Sequence, residues 1–163
     1  MEGRVLYARR DGACVLRFEG PIRYTMAHSL DTFLNKLFAQ CPPESICADL
    51  NAAESIDSTG IGLLAKIANG LRDCGCGKPL LFSCNHEINE VLCNVCLDEV
   101  FVIVEAMRSE AGGDELPATD PSTADLAQTI LGAHRLLCEL SESNRARFQD
   151  VVDALEVDPN LNS

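Results

Sequence analysis

Asp49-Leu50-Asn51-Ala52-Ala53-Glu54-Ser55-Ile56-Asp57-Ser58-Thr59-Gly60-Ile61-Gly62-Leu63-Leu64 is the stretch on which the reading of the whole chain turns. Ahead of it, the apolar run Ile46-Cys47-Ala48 predicts a short buried strand. The polar residues that follow predict a loop, and the apolar spacing after Ser58 has the period of a helix. Asp57 and Ser58 stand where that helix begins, and their side-chain oxygens suit the N–H groups of a first turn, which have no partner inside the helix. Those N–H groups and the positive end of the helix dipole also favour an anion, and a phosphate on Ser58 would be one. Ser58 is therefore a candidate switch residue.

Outward from this stretch, strands and helices alternate. Val5-Leu6-Tyr7-Ala8 and Cys14 to Glu19 read as two strands joined by a tight turn at Asp11-Gly12, with Gly supplying the positive φ. Gly20-Pro21 reads as a break, and Arg23 to Gln40 as a helix ending before Pro42-Pro43. Ser45 to Leu50 is the third strand and Ser58 to Cys74 the motif helix, with Ile61, Leu64, Ala65, Ala68 and Leu71 on one face. Pro79 to Ser83 is a strand, His86 to Leu97 a helix capped by Asn85, and Val100 to Val104 the last strand. This order implies an α/β fold built on a mostly parallel or mixed sheet with right-handed crossovers. Partner sites in such sheets commonly lie at strand ends, where the segment ending at Ser58 falls.

The run Ile56-Asp57-Ser58-Thr59-Gly60-Ile61-Gly62-Leu63-Leu64, preceded by Ala48-Asp49-Leu50, resembles the signature of STAS domains, specifically the bacterial anti-sigma factor antagonists. The downstream elements follow in the same order, so the resemblance covers roughly the first two thirds of the chain. It implies a STAS-like mixed β-sheet flanked by helices. It also implies Ser58 as phosphoacceptor for a serine-kinase ATPase that is itself the anti-sigma factor, and a PP2C-type phosphatase that resets the switch. The implied docking residues are Asp57, Ser58, Thr59, Gly60, Ile61 and Gly62. Ser55 and Thr59 flank the acceptor and have the same hydroxyl chemistry.

Gly60 and Gly62 weaken the helix, by about 1 kcal/mol each relative to Ala. Either they let another backbone or a partner surface approach Ser58, or they relieve crowding against strands of the same chain.

Composition narrows the partners. The net charge of −12 argues against general nucleic-acid binding, which uses Lys and Arg to neutralise phosphates. Proteins are the expected partners. The acidity is uneven: positions 1–104 carry 13 acids and 9 bases, and positions 105–163 carry 12 acids and 4 bases. No apolar run approaches the roughly 20 residues that span a bilayer. Met1-Glu2-Gly3-Arg4 lacks a signal pattern, so the expectation is a cytoplasmic protein with no membrane partner.

The chain divides into a STAS-like unit at 1–108, a Gly- and Pro-containing linker at 109–122, and a C-terminal amphipathic helix or helical hairpin at 123–157. In that last segment Leu126, Ile130, Ala133, Leu137 and Leu140 repeat at helical spacing, and Phe148, Val151, Val152 and Leu155 continue the pattern beyond Ser141-Glu142-Ser143-Asn144. Such a stripe folds back on the domain, pairs with a second copy, or receives a partner. A second class of function follows from the pairing option: a scaffold or homodimer assembled through this helix, with Ser58 only a cap.

Nine cysteines in a chain with no signal pattern are expected to be reduced thiols. Cys74, Cys76, Cys84, Cys93 and Cys96 only partly fit a tetrathiolate zinc spacing, since Cys93 and Cys96 fall inside a predicted helix. No metal or cofactor is therefore expected. His28, His86 and His134 lie in unrelated segments, and Asp57 beside Ser58 is poorly placed to act as its base, so no catalytic residues are assigned and no enzyme is expected.

Overall fold

In the computed structural model of the chain, residues 2–108 and 113–158 are described. Two long strands carry the sheet. β2 (Ala13–Ile22) and β3 (Ser45–Ile56) run parallel from Ala13 opposite Ser45 to Ile22 opposite Ile56. β1 (Arg4–Arg10) lies antiparallel on the far side of β2, and β4 (Leu80–Phe82) and β5 (Val102–Val104) add in parallel beyond β3. A short β6 (Asp114–Glu115) closes the β1 edge, so the six-stranded mixed sheet has the order β5-β4-β3-β2-β1-β6. Residues expected to be pure linker thus supply an edge strand; positions 109–112 of that linker lie outside the described residues.

The period-two pattern of β2 shows how the core is chosen. Cys14, Leu16, Phe18 and Ile22 are buried, while Val15, Arg17 and Glu19 alternate with them on a half-exposed face. On that face Glu19 pairs with both Arg4 and Arg17.

Two local expectations change. The turn between β1 and β2 places Asp11, not Gly12, at positive φ (56°), a region in which Asp is among the better-tolerated residues. And β3 does not give way to a loop after Leu50. It continues to Ile56 because β2 itself continues through Gly20-Pro21, and their ladder absorbs the irregularity at two register shifts. Ala52, Ala53, Ser55 and Ile56 therefore lie opposite β2 residues in the sheet, with Asn51 and Glu54 at the shifts, and Asp57 follows the strand directly.

α1 (Ala27–Gln40) follows a 3-10 turn at Tyr24–Met26, α2 (Ser58–Asp73) follows Asp57, and α3 (His86–Asn94) follows its cap Asn85, whose side chain accepts the Glu87 and Ile88 N–H groups. α2 is buried far beyond one face: Thr59 to Ala65, Ile67, Ala68 and Leu71 are all covered. Sheet packing accounts for one side of it. The other side is covered by α4 (Thr123–Leu140), which with α5 (Glu142–Glu156) forms a helical hairpin folded back on the domain.

α4 has two buried faces rather than the one stripe of the sequence pattern. Leu137 joins the main core, while Leu131 and Cys138 pack with Val152, flanked by Phe148 and Leu155, between α4 and α5. Ser122 and Asp125 form a reciprocal capping box at the start of α4, and the Ser122 N–H and hydroxyl hold the Asp125 carboxyl below its ordinary range. The hairpin turn is pinned as well. Ser141 caps α5 through the Asn144 N–H, the Asn144 Nδ2 donates to the Val95 carbonyl at 2.8 Å, and the Cys96 thiol donates to the Ser141 hydroxyl at 3.4 Å.

Candidate functional site

The junction between β3 and α2 is fixed by one side chain. The Asp57 Oδ1 accepts the Gly60 N–H at 2.9 Å, capping α2, and its Oδ2 accepts the Tyr24 N–H at 2.7 Å. The Asp57 N–H in turn donates to the Ile22 carbonyl at 3.0 Å. The carboxylate therefore ties the start of α2 to the segment leaving β2, and the position of Ser58 follows from it.

Ser58 is the first residue of α2 and is half-buried. Its Oγ lies 2.8 Å from the Nε2 of His134, which is carried by α4. The other ring nitrogen of His134 lies 2.8 Å from the Ile130 carbonyl, which can only accept. In the neutral ring the proton therefore sits on Nδ1, and Nε2 accepts the Ser58 hydroxyl proton. Phe148 of α5 holds the imidazole from its edge, with ring centroids 5.8 Å apart. His134 itself is 4 % exposed.

The remaining residues expected on the docking face are placed as follows. Thr59, Gly60, Ile61 and Gly62 are buried. Gly60 faces the side chains of Ile56 and Ile22, where a Cβ would approach to 3.0 Å, so it relieves crowding within the chain. At Gly62 a Cβ would lie 2.3 Å from the carbonyl oxygen of Ala133, so this glycine admits the backbone of α4. Of the three neighbouring hydroxyl residues, Ser55 is exposed, Ser58 is half-buried and bonded to His134, and Thr59 is buried.

Sequence reasoning placed the three histidines in unrelated segments, and it missed the contact between Ser58 and His134. The signal that bears on it is a pair of small residues, Gly62 on one helix and Ala133 on the other, the latter adjoining a histidine inside an apolar pattern. The cysteines show no comparable convergence. Cys14 and Cys138 are buried, Cys41, Cys74, Cys84 and Cys93 are exposed, and no group of three or more His, Cys, Asp or Glu placed to hold a metal ion is found among the described residues. No helix among them is long and apolar enough to cross a membrane.

Comparison with known proteins bears on residues up to β5 and its exit. The STAS domain model matches residues 4–110, leaving the α4–α5 hairpin outside the match. No curated protein matches the chain. Among solved structures, an anti-sigma factor antagonist from Mycobacterium paratuberculosis superposes with a TM-score of 0.54 at 21 % identity, over 65 % of this chain and 88 % of that one. A putative anti-sigma factor antagonist from Thermotoga maritima gives 0.55 at 23 %, over 63 % and 87 %. The Bacillus cell fate determinant SpoIIAA in its phosphorylated form gives 0.52 at 15 %, over 62 % and 91 %. At these identities the superpositions speak for the shared fold. With a match over residues 4–110 and the sheet order and α2 junction described above, the chain belongs to the STAS domain family.

Proposed function

We propose that this protein is an anti-sigma factor antagonist switched by reversible phosphorylation of Ser58. The observation that carries the reading is the position of Ser58: first residue of α2, directly after a capping aspartate, at the end of a central strand. Its partner is an anti-sigma factor of the serine-kinase ATPase type, which the unphosphorylated chain binds through Asp57 to Gly62, releasing a sigma factor. Transfer of the γ-phosphoryl group of ATP forms the bond from Ser58 Oγ to phosphorus, breaks the bond to ADP and releases the hydroxyl proton. A PP2C-type phosphatase hydrolyses the ester and restores the hydroxyl. The phosphate adds about −1.5 to −2 charges at a helix start already carrying the Asp57 carboxylate. Desolvating that charge against an unmatched surface costs binding, and a penalty of about 3 kcal/mol lowers affinity more than a hundredfold.

The protein acts by binding rather than by catalysis, in the cytoplasm, without a cofactor and without nucleic-acid or membrane partners. The burial of Leu131, Ala133 and Leu137 within one chain supports a single copy as the binding unit over a dimer built through α4. The test is a quantitative pull-down from native lysate with wild type, Ser58→Ala and Ser58→Asp as baits. Retention of an ATP-binding serine kinase by Ala but not by Asp is the expected result. Equal retention by both removes the switch.

A further inference from the structure

We propose that the α4–α5 hairpin is an intramolecular occupant of the Ser58 face, so that a partner or kinase reaches Ser58 only when the hairpin is displaced. The inference rests on the reading of Ser58 as the switch and adds its control. Three observations carry it. The Nε2 of His134 on α4 accepts the Ser58 hydroxyl's hydrogen bond at 2.8 Å, leaving that hydroxyl engaged within the chain. Ala133 sits so close to Gly62 that a Cβ there would meet its carbonyl oxygen at 2.3 Å, which leaves no room for a second surface between the two helices. The third is the 4 % exposure of His134, which shows that α4 is seated on this face and not merely near it.

A phosphate on Ser58 also competes with the contact that closes the hairpin. A phosphate on Ser58 Oγ needs space and solvation on the side where His134 and the α4 backbone now lie. The hairpin is held by a small-residue helix crossing, one hydroxyl-to-imidazole bond, a turn pinned by the Asn144 and Cys96 hydrogen bonds, and Leu137 in the main core, so the partner that displaces it must supply an apolar surface in place of Leu137 as well as polar contacts. Its removal leaves α2 with a face lined by Gly62 and Ser58, which is the face that the proposed function assigns to the anti-sigma kinase.

The experiment uses the full chain and the anti-sigma kinase retained by the Ser58→Ala bait. Amide hydrogen exchange is followed by mass spectrometry in the free chain and in the complex, and affinity is measured for two hairpin variants. In Ala133→Leu the larger side chain is driven against Gly62 and lifts α4. In Gly132→Ala the added Cβ meets nothing within 4 Å, so it is the matched control. The expected result is that binding protects residues 57–64 while exchange in 123–156 accelerates, and that Ala133→Leu binds roughly tenfold tighter than wild type, which corresponds to about 1.4 kcal/mol, whereas Gly132→Ala does not. If Ala133→Leu fails to fold, His134→Ala, which removes the latch together with its Phe148 contact, takes its place with the same expectation of tighter binding. A complex in which the hairpin stays as protected as in the free chain overturns the occlusion and leaves the Ser58 switch standing. Failure of any kinase to bind overturns both.

Discussion

Asp57 holds the backbone N–H of Gly60 beside it and that of Tyr24, 33 residues before it, and that makes it the residue on which the geometry of Ser58 depends. Asp57→Ala removes both acceptors. It is expected to lower the unfolding free energy by about 2 kcal/mol, roughly one for the lost cap and one for the Tyr24 N–H. Asp57→Asn keeps one amide oxygen and is expected to lose about half as much in urea denaturation; an equal loss in the two variants would contradict a role for the second oxygen. Two thiols contribute to the alkaline side of stability. Burial pushes the Cys14 thiol from 9.0 up to about 12, opposed by Arg9, and burial pushes Cys47 to about 11, opposed by Arg108. The fold retains protons that the unfolded chain releases, so this contribution is intact below about pH 9 and is lost as pH rises towards 11 to 12. The buried Cys14 thiol then steepens the fall by at most about 1.4 kcal/mol per pH unit, and the half-buried Cys47, screened by solvent, by less. Unfolding free energies from pH 8.5 to 10.5 should fall less steeply in Cys14→Ala than in wild type. At this scale, what was legible in the sequence was local. Asp57, Ser58 and Asn85 announce themselves because a cap and its helix are neighbours in the chain, whereas Ser58 and His134 are 76 residues apart and no local pattern joins them.

Among the elements, α2 and the α4–α5 hairpin depend on each other. The helical spacing of α2 and α4 was legible, as was the break near Ser141, because periodicity and caps are properties of a segment. The second buried face of α4 was not, because Leu131 and Cys138 lie off the main stripe and are covered only once Val152 of α5 folds against them. The reach of β3 to Ile56 was hidden for a related reason: polar residues from Asn51 onwards look like a loop until the extended β2 is there to pair with them. The anchor of the hairpin turn is Asn144, 1 % exposed and bonded to the Val95 carbonyl. Asn144→Ala leaves that carbonyl unpaired, at a cost of about 1–3 kcal/mol. The expected readout is faster amide exchange across 142–156, with little change in β2. Uniform acceleration over the whole chain would instead mean that the turn is part of the global unfolding unit.

Taken whole, the molecule is a STAS domain with an acidic helical hairpin closed over its α2 face. The family fold was legible from the β3–α2 junction and the order of elements after it. The fate of the C-terminal stripe was not, since folding back, pairing and partner binding all bury the same residues. Folding back makes a single copy self-sufficient, and sedimentation equilibrium of the full chain is expected to return the monomer mass of 17.6 kDa. A dimer mass that persists on dilution would mean that α4 also serves a second copy. The measurement that bears most directly on the central claim is reconstitution of the switch: the full chain, the serine kinase retained by the Ser58→Ala bait, and ATP, with phosphate mapped by mass spectrometry and complex followed over the same interval. The expected result is one phosphate on Ser58 and dissociation of the complex as it accumulates. Phosphate on Ser55 or Thr59 instead, no phosphate at all, or a chain phosphorylated at Ser58 that stays bound would contradict it.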